Sequence, residues 1–351
     1  MAKLPSISSF PQDTYSALEF VAKNTMQVVR KSRQKLSKEQ VRLQVVATGI
    51  CGSDLHGISG ENGRREVGQV MGHETCGIVV EVGDPSRNGL VGQFGALNPV
   101  VSCGECRWCA GGQEQVCEEV WIIGVVPSFD AAFGEEVVIP ASSFVPLGGM
   151  EDPVLGALIE PLAVGFHAAH QADIDASSKV LVIGAGPIGQ ASALAARYRG
   201  ASSITVIEPN PFRAAVVEGL GFSVFTPDSF WGAPPSSING RPTVVIDAVG
   251  SSSTLNSAIE ASDARSSIVL VGMGMPQVTL PAYSISTRER RIFGSYCYSA
   301  HSFGQAADWL RLNNLTASKM IDVRTSIEDA PLVFEELLSS NAQINKAVIV
   351  P

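Results

Sequence analysis

The sequence lacks any run of roughly eighteen consecutive apolar residues, which is the length that a membrane-spanning helix needs. The N-terminal segment MAKLPSISSFPQDTYSA also lacks the basic-then-apolar pattern of a secretory leader, so we expect no such leader. Basic residues are outnumbered, with 25 Lys and Arg against 34 Asp and Glu, and they form no cluster that could bind phosphates. We therefore expect a soluble, cytoplasmic protein that acts on a small molecule and has neither a nucleic-acid nor a membrane partner.

Charged residues are also scarce, at 17% against 45% hydrophobic residues, as in a well-buried globular protein. The 351 residues are enough for two domains. Up to about residue 158, short β-like runs are separated by Gly and Pro, which predicts a β-rich domain. From 159 to 293, strands alternate with helices, as in KVLVIG, GQASALAARYRG and SSITVIE, and this pattern predicts a doubly wound parallel sheet. The segment after about 294 has helical periodicity and ends in a strand.

Cysteine is concentrated in one place. Four of the seven cysteines occur in the run CGECRWCAGGQEQVC, and they are Cys103, Cys106, Cys109 and Cys117. Two disulfides or unliganded thiols are the alternatives, but clustering without a secretory leader is typical of a metal site. Four thiolates close a tetrahedral shell, so the sequence predicts a structural zinc with no open coordination position.

A glycine-rich turn follows the first strand of the alternating segment. Gly184, Gly186 and Gly189 form G-x-G-x-x-G between a strand and a helix, which is the dinucleotide-binding pattern. Glu208 lies nineteen residues beyond Gly189, where a carboxylate can accept hydrogen bonds from ribose hydroxyls and repel a 2′-phosphate. This favours NAD, although Glu208 could instead be an acid at the start of the next helix, and Arg213 leaves NADP possible. The remaining predicted cofactor-binding residues are Pro187, Ile188, Val249 and Gly272.

A second metal site can be assembled from separate segments. Cys51, His73 and Glu160 supply one thiolate, one imidazole and one carboxylate, a set that leaves a coordination position open for catalysis. Each residue alone has an ordinary explanation, as a buried thiol, a core histidine and a carboxylate at a helix start. The glycine-flanked contexts GICGSDLHG and MGHETCGIVVEVG favour the metal site.

With GICGSDLH, GHETCGIVVEVG, the four-cysteine run, EPLAVGFHA and VLVIGAGPIG in this order, the chain resembles the zinc-dependent medium-chain dehydrogenase/reductase family, which includes alcohol, sorbitol, threonine and butanediol dehydrogenases. The resemblance implies two zinc ions per chain, with catalytic zinc on Cys51, His73 and Glu160. It also implies a proton relay through Ser53 and His56, and places Glu74 beside the metal.

The resemblance further implies a fold and a reaction. A GroES-like catalytic domain would comprise residues 1–158 and 294–351, with a Rossmann domain at 159–293 and a homodimer or homotetramer as the assembly. The expected reaction is hydride transfer between a secondary alcohol or polyol, possibly cyclic, and NAD. The alternatives are an NADPH-dependent biosynthetic carbonyl reductase of the same family and a catalytically silent NAD- and zinc-binding scaffold.

The substrate is less well defined by the sequence. A glutamate at the third ligand position, Glu160, is similar to the polyol and threonine dehydrogenase branches of the family and not to the branch with a cysteine there. However, Cys297 and Tyr298 stand where sorbitol dehydrogenases carry an arginine next to a tyrosine. Tyr296 and Tyr298 are candidate pocket residues. We interpret His167 and His170 as structural, and Cys76 and Cys297 as packing thiols.

Overall fold

A computed structural model describes residues 13–60, 63–232, 240–339 and 341–351. The expectation of no secretory leader concerns residues 1–12, which lie outside the described residues. The chain divides into two units, residues 1–160 with 307–351, and residues 161–306. The sequence places these boundaries at 158/159 and 293/294. In the described ranges, no helix combines the length and apolar character needed to cross a membrane.

The elements of the described residues are as follows. The strands are β1 (Thr14–Ala22), β2 (Thr25–Ser32), β3 (Gln40–Gly49), β4 (Glu74–Val82), β5 (Phe94–Leu97), β6 (Val100–Val101), β7 (Trp121–Ile122), β8 (Glu136–Pro140), β9 (Phe144–Pro146), β10 (Lys179–Ile183), β11 (Ser203–Ile207), β12 (Ser223–Phe225), β13 (Val244–Asp247), β14 (Ser267–Leu270), β15 (Arg291–Gly294), β16 (Val323–Thr325) and β17 (Ala347–Ile349). The helices are α1 (Gly52–Ile58), α2 (Arg107–Ala110), α3 (Ile159–Gln171), α4 (Pro187–Tyr198), α5 (Pro211–Gly219), α6 (Pro227–Gly232), α7 (Ser252–Ala261), α8 (Ala282–Ser286), α9 (Ala300–Leu312), α10 (Asn314–Ala317) and α11 (Ala330–Leu337). Short 3₁₀ helices lie at Pro85–Leu90, Glu114–Val116, Ala141–Ser143, Pro153–Leu158 and Ser318–Met320.

The first unit is built on a β-rich core. Its main sheet has the strand order β16-β17-β3-β4-β5-β9, and β8 also pairs with β3. The C-terminal strand β17 pairs with β3 in antiparallel register, Val348 opposite Gly49, so residues nearly 300 positions apart share one sheet. Buried aromatic and aliphatic side chains fill the unit, including Phe133 packed edge-on against Phe334. This arrangement brings the end of β3, the start of β4 and the residue before β17 close together.

The second unit contains a parallel sheet with strand order β12-β11-β10-β13-β14-β15. The order reverses between β10 and β13, and in such sheets ligands bind beyond the carboxyl ends of the strands at this point. The strands and helices predicted at 179–208 are present as β10, α4 and β11. The prediction of a doubly wound parallel sheet alongside a β-rich domain is confirmed.

His167 lies on α3 in the second unit and is buried. Its ring nitrogens lie 3.3 Å from Ser302 Oγ and 3.3 Å from Gln171 Nε2, which supports the structural interpretation of this residue. Burial, with the charge of His170 added, lowers the pKa of His167 to about 4.

We predict that acid destabilises the protein through His167. The unfolded chain binds a proton near pH 6.5 and the folded chain does not, so stability is full above that pH and falls as the pH drops toward 4. A His167→Gln variant should flatten this part of the curve, measured as the urea midpoint from pH 7 to pH 4. The exposed His301→Gln variant is the control, and an unchanged pH dependence in His167→Gln would contradict the assignment.

Candidate active site

The four clustered cysteines converge around α2 in the first unit. Neighbouring Sγ atoms lie 3.5 Å (Cys103 to Cys117), 3.6 Å (Cys106 to Cys109), 3.8 Å (Cys106 to Cys117) and 3.9 Å (Cys103 to Cys109) apart. A tetrahedral zinc with bonds of about 2.3 Å separates its sulfur ligands by about 3.8 Å. The same distances are far too long for disulfide bonds, in which the sulfurs lie about 2.05 Å apart. The donor set therefore fits a tetrahedral zinc.

The thiols of this cluster are shifted in opposite directions. A backbone hydrogen bond at Cys103 lowers the pKa of Cys117, but burial and the side chains of Cys103 and Cys106 outweigh it and raise that pKa to about 11. A hydrogen bond from the Ser102 side chain, supported by the Gly104 backbone, lowers the pKa of Cys109 to about 7. The backbone N–H of Cys106 also points at Cys103 Sγ, at 3.4 Å. Such contacts favour the negative charge that zinc ligands carry.

A second cluster forms where β3 leads into α1. Cys51 is the N-cap residue of α1, and its Sγ accepts a hydrogen bond from Ser53 N at 3.5 Å. In return, Cys51 N donates to Asp54 Oδ2 at 3.1 Å. The cap therefore fixes the sulfur in place.

The first residues of β4 complete this cluster. The ligand atoms of Cys51, His73 and Glu74 all lie within 4.8 Å of one another. Burial lowers the pKa of His73, but the negative charges of Asp54, Cys51 and Glu160 outweigh that effect and raise the pKa to about 10. The surroundings of His73 thus favour a positive charge at this position, which a metal cation can supply.

The other predicted catalytic residues lie in the same unit. Glu160 is in the first turn of α3, nine-tenths buried, and its charge acts on both His73 and Lys346. Ser53 is half-buried and His56 is exposed, three residues apart on α1. Residues at this spacing share one face of a helix.

Lys346 was not identified from the sequence. It lies just before β17, is 2% exposed, forms an ion pair with Glu74, and donates to Ile50 O at 3.0 Å. A Cβ at Gly49 would lie 2.1 Å from Glu74 Oε2, so this glycine leaves room for the pair. Burial lowers the pKa of Lys346, but the charges of Glu74, Cys51 and Glu160 raise it above its usual value. The one sign in the sequence that Lys346 is buried is its position directly before the apolar run AVIV.

The glycine turn of the second unit has the geometry that a pyrophosphate requires. Gly184 has φ +94, and Gly186 is the N-cap of α4, with Pro187 at the first helical position. A Cβ on Gly189 would lie 1.9 Å from Gly184 O, so no side chain fits there. The turn therefore leaves the N-terminal N–H groups of α4 available to an anion.

Glu208 connects this turn to the next helix. Its Oε2 accepts from Ala185 N at 2.7 Å and its Oε1 accepts from Asn210 N at 2.8 Å. Asn210 in turn caps α5 by accepting from Phe212 N and Arg213 N. A carboxylate oxygen has two lone pairs, so each oxygen can still accept one hydrogen bond from a ligand.

A cavity of about 500 Å³ lies beside the turn. It brings together five predicted cofactor-binding residues, which are Gly184, Gly186, Glu208, Arg213 and Val249. Gly272 lies against the Val249 backbone, too close for a side chain, while Pro187, Ile188 and Gly189 form the first turn of α4. Trp231 and Thr254 also line the cavity and were not identified from the sequence. Asp247 was not identified either; it ends β13 and accepts from Val249 N and Gly250 N.

We predict that Gly189→Ala weakens dinucleotide binding by about ten- to a hundredfold, because the added methyl group displaces the turn. Calorimetric titration with NADH measures this effect. Gly219→Ala at the end of α5 is the control, since its Cβ meets nothing within 4 Å. Equal affinity in wild type and Gly189→Ala would show that the turn does not hold the pyrophosphate.

Comparison with known proteins gives a consistent result. Residues 37–149 match the alcohol dehydrogenase GroES-like domain, and residues 187–311 match the zinc-binding dehydrogenase domain. The chain is 32% identical over 286 residues to a sorbitol dehydrogenase of Arabidopsis thaliana, which covers 78% of each chain. The protein belongs to the zinc-dependent medium-chain dehydrogenase family. It is therefore an oxidoreductase that acts on CH–OH groups, as the resemblance predicts.

Other members of the medium-chain dehydrogenase family match over greater lengths. L-idonate 5-dehydrogenase of Vitis vinifera is 29% identical over 326 residues, covering 90% of this chain and 88% of the relative. A solved Sinorhizobium meliloti protein of the zinc-binding dehydrogenase type, bound to NADP, is 28% identical with a TM-score of 0.86, covering 97% of this chain and 100% of the other. The chain thus shares the fold of a zinc-binding dehydrogenase family, of which one solved member is bound to NADP.

Proposed function

We propose that this medium-chain dehydrogenase transfers a hydride between a secondary alcohol or polyol and NAD, with a catalytic zinc on Cys51, His73 and Glu160. The observation that carries the proposal is the cluster of half-buried Cys51 with buried His73 and Glu74. Glu160 lies outside that cluster and acts on His73 through its charge. A thiolate, an imidazole and a carboxylate are the donor types of open, catalytic zinc sites.

The charge around the cluster supports a divalent ion. Three carboxylates lie there, those of Asp54, Glu74 and Glu160, together with the Cys51 thiol. Two cationic side chains, Lys346 and Arg65, face them. The acids also hold a proton on His73, whose pKa they raise to about 10, and a zinc ion would take the place of that proton. With the four-cysteine site, this gives two zinc ions per chain.

Each residue has a defined part in this proposal. Zinc at this site would supply Lewis acidity that lowers the pKa of an alcohol hydroxyl. Glu74, held by Lys346, stays beside the metal as a further carboxylate. Ser53 and His56, on one face of α1, accept and pass on the hydroxyl proton, from the half-buried serine to the exposed histidine.

NAD is the cofactor that the second unit favours. Glu208 directs a buried carboxylate into the cavity, where it can accept from ribose hydroxyls and would repel a 2′-phosphate. Arg213 also lines the cavity and is the observation that favours the second candidate, an NADPH-dependent carbonyl reductase. The solved relative bound to NADP has the same fold.

The substrate class follows from the relatives and from the third ligand. The similar proteins include enzymes named for L-idonate, L-galactonate, sorbitol and D-xylulose, which are all polyhydroxylated. We therefore propose a polyol or sugar acid, with sorbitol itself disfavoured by Cys297.

We also propose a homodimer or homotetramer. Among the described strands, β15 lies at the edge of the six-stranded sheet and pairs with β14 alone. An exposed strand edge can pair with a strand of another molecule, and a second copy of this chain would supply one.

The test is a cofactor-reduction assay on zinc-quantified protein. NAD and NADP are offered separately with linear polyols, sugar acids, cyclitols, diols and simple secondary alcohols, and the absorbance of the reduced nicotinamide is followed. We expect the protein to reduce NAD with a polyhydroxylated substrate, and its kcat/KM to be higher with NAD than with NADP. Activity only with NADPH and ketones would favour the second candidate, and silence in both directions would favour the scaffold.

A further inference from the structure

Arg65 is a buried arginine in the segment between α1 and β4. Its side chain is 1% exposed, and its Nη2 donates to Asp54 Oδ1 at 3.2 Å. Its Nη1 donates to Val125 O at 3.3 Å, and its Nε points at Met71 Sδ at 3.2 Å. A guanidinium is seldom buried without a partner, and here Asp54, which is fully buried, is that partner.

Asp54 is the point at which Arg65 reaches the metal cluster. One carboxylate oxygen, Oδ2, accepts from Cys51 N, and the other, Oδ1, lies 3.7 Å from His73 Nδ1. The Nδ1 of His73 thus faces Asp54, which leaves Nε2 as its ligand atom. The Asp54 carboxylate therefore contacts two of the proposed zinc ligands, the backbone of Cys51 and the ring of His73.

The local sequence makes room for this arrangement. A Cβ on Gly57 would lie 2.3 Å from Arg65 Cγ, so the arginine passes over a position of α1 that has no side chain. Gly57 is buried on the helix that begins at Cys51. The arginine is therefore held between α1 on one side and the Val125 carbonyl on the other.

We infer that Arg65 is a positioning residue for the catalytic metal: it fixes the Asp54 carboxylate, and Asp54 orients Cys51 and His73. This rests on the proposed zinc site. Groups that orient metal ligands typically change metal affinity by about ten- to a hundredfold when they are removed. Arg65 acts through Asp54 and touches neither ligand in the contacts described above.

The test measures zinc release to a chelator from each of the two sites. In Arg65→Met, the zinc at Cys51 and His73 should bind about ten- to a hundredfold more weakly, and the four-cysteine zinc should be unchanged. The absorption spectrum of cobalt in the catalytic site should also shift, since it reports ligand geometry. Arg65→Lys should recover part of the affinity because it restores the charge but not the fork of donors.

Two matched controls separate positioning from folding. Arg64→Met removes the exposed neighbour, and Arg42→Met removes another buried arginine, whose partners are Glu136 and Glu81. Neither should change zinc release, although Arg42→Met should lower stability. Gly57→Ala is a second route, because the methyl group displaces Arg65 while alanine favours the helix.

The outcomes are distinct. Selective weakening of the catalytic zinc in Arg65→Met and Gly57→Ala supports the inference. The inference fails, while the proposed function stands, if Gly57→Ala and Arg65→Met release zinc as the wild type does. The same holds if both zincs are lost in parallel as the chain unfolds. A wild-type protein that holds only the four-cysteine zinc overturns both the inference and the proposed function.

Discussion

The Cys51→Ser variant is expected to retain one zinc per chain instead of two and to lose about 10³-fold or more in kcat/KM. Lewis-acid stabilisation by a metal is worth several kcal/mol, and each 1.36 kcal/mol is a factor of ten in rate. Serine keeps the shape of the N-cap and can accept from Ser53 N, so α1 should still form. The measurement combines metal analysis with initial rates of NAD reduction.

Cys76→Ser is the matched control for that result. Cys76 is a fully buried thiol on β4 that lies 3.2 Å from Pro153 O, and its burial raises the pKa. It belongs to neither cysteine-containing metal cluster. This variant should keep both zincs and its activity. Full activity in Cys51→Ser would show that Cys51 has no part in the reaction.

The Lys346→Met variant is expected to lose about 3–5 kcal/mol in free energy of unfolding, because it leaves the Glu74 carboxylate buried without its cation. Methionine preserves most of the length and apolar contact of the lysine stem. The double variant Lys346→Met with Glu74→Gln removes both charges and should recover most of the lost stability. Urea unfolding of the metal-loaded wild type, single variant and double variant measures these free energies of unfolding.

Lys38→Met is the control, because Lys38 is exposed and its loss should change stability by less than about 0.5 kcal/mol. If Lys346→Met were as stable as Lys38→Met, the Glu74 charge would have to be balanced by another group. If the double variant were no more stable than Lys346→Met, the cost would come from lost packing.

The parallel sheet could be predicted because its information is local. The runs around β10 and β11 are continuous apolar segments followed by helical periodicity, and the helices that follow, α4 and α5, pack against strands of the sheet. The grouping of the four cysteines could be predicted equally well, because they lie within fifteen residues of one another. In each case, residues close in sequence make the structure.

The partners of the second metal cluster could not be read in this way. Asp54, Arg65 and Lys346 acquire their roles from contacts made by the fold, and Lys346 reaches Glu74 only because β17 pairs with β3. A buried lysine or arginine in a single sequence looks like any surface residue until its partner is known. Trp231 likewise joins the cofactor cavity through the packing of α6.

The most direct test of the account is X-ray anomalous scattering at the zinc edge from crystals of the purified, untreated protein. Two peaks per chain are expected, one among Cys103, Cys106, Cys109 and Cys117, and the other between Cys51 and His73 with a carboxylate beside it. A single peak at the four-cysteine site, in protein that nevertheless reduces NAD, would contradict the zinc-dependent mechanism.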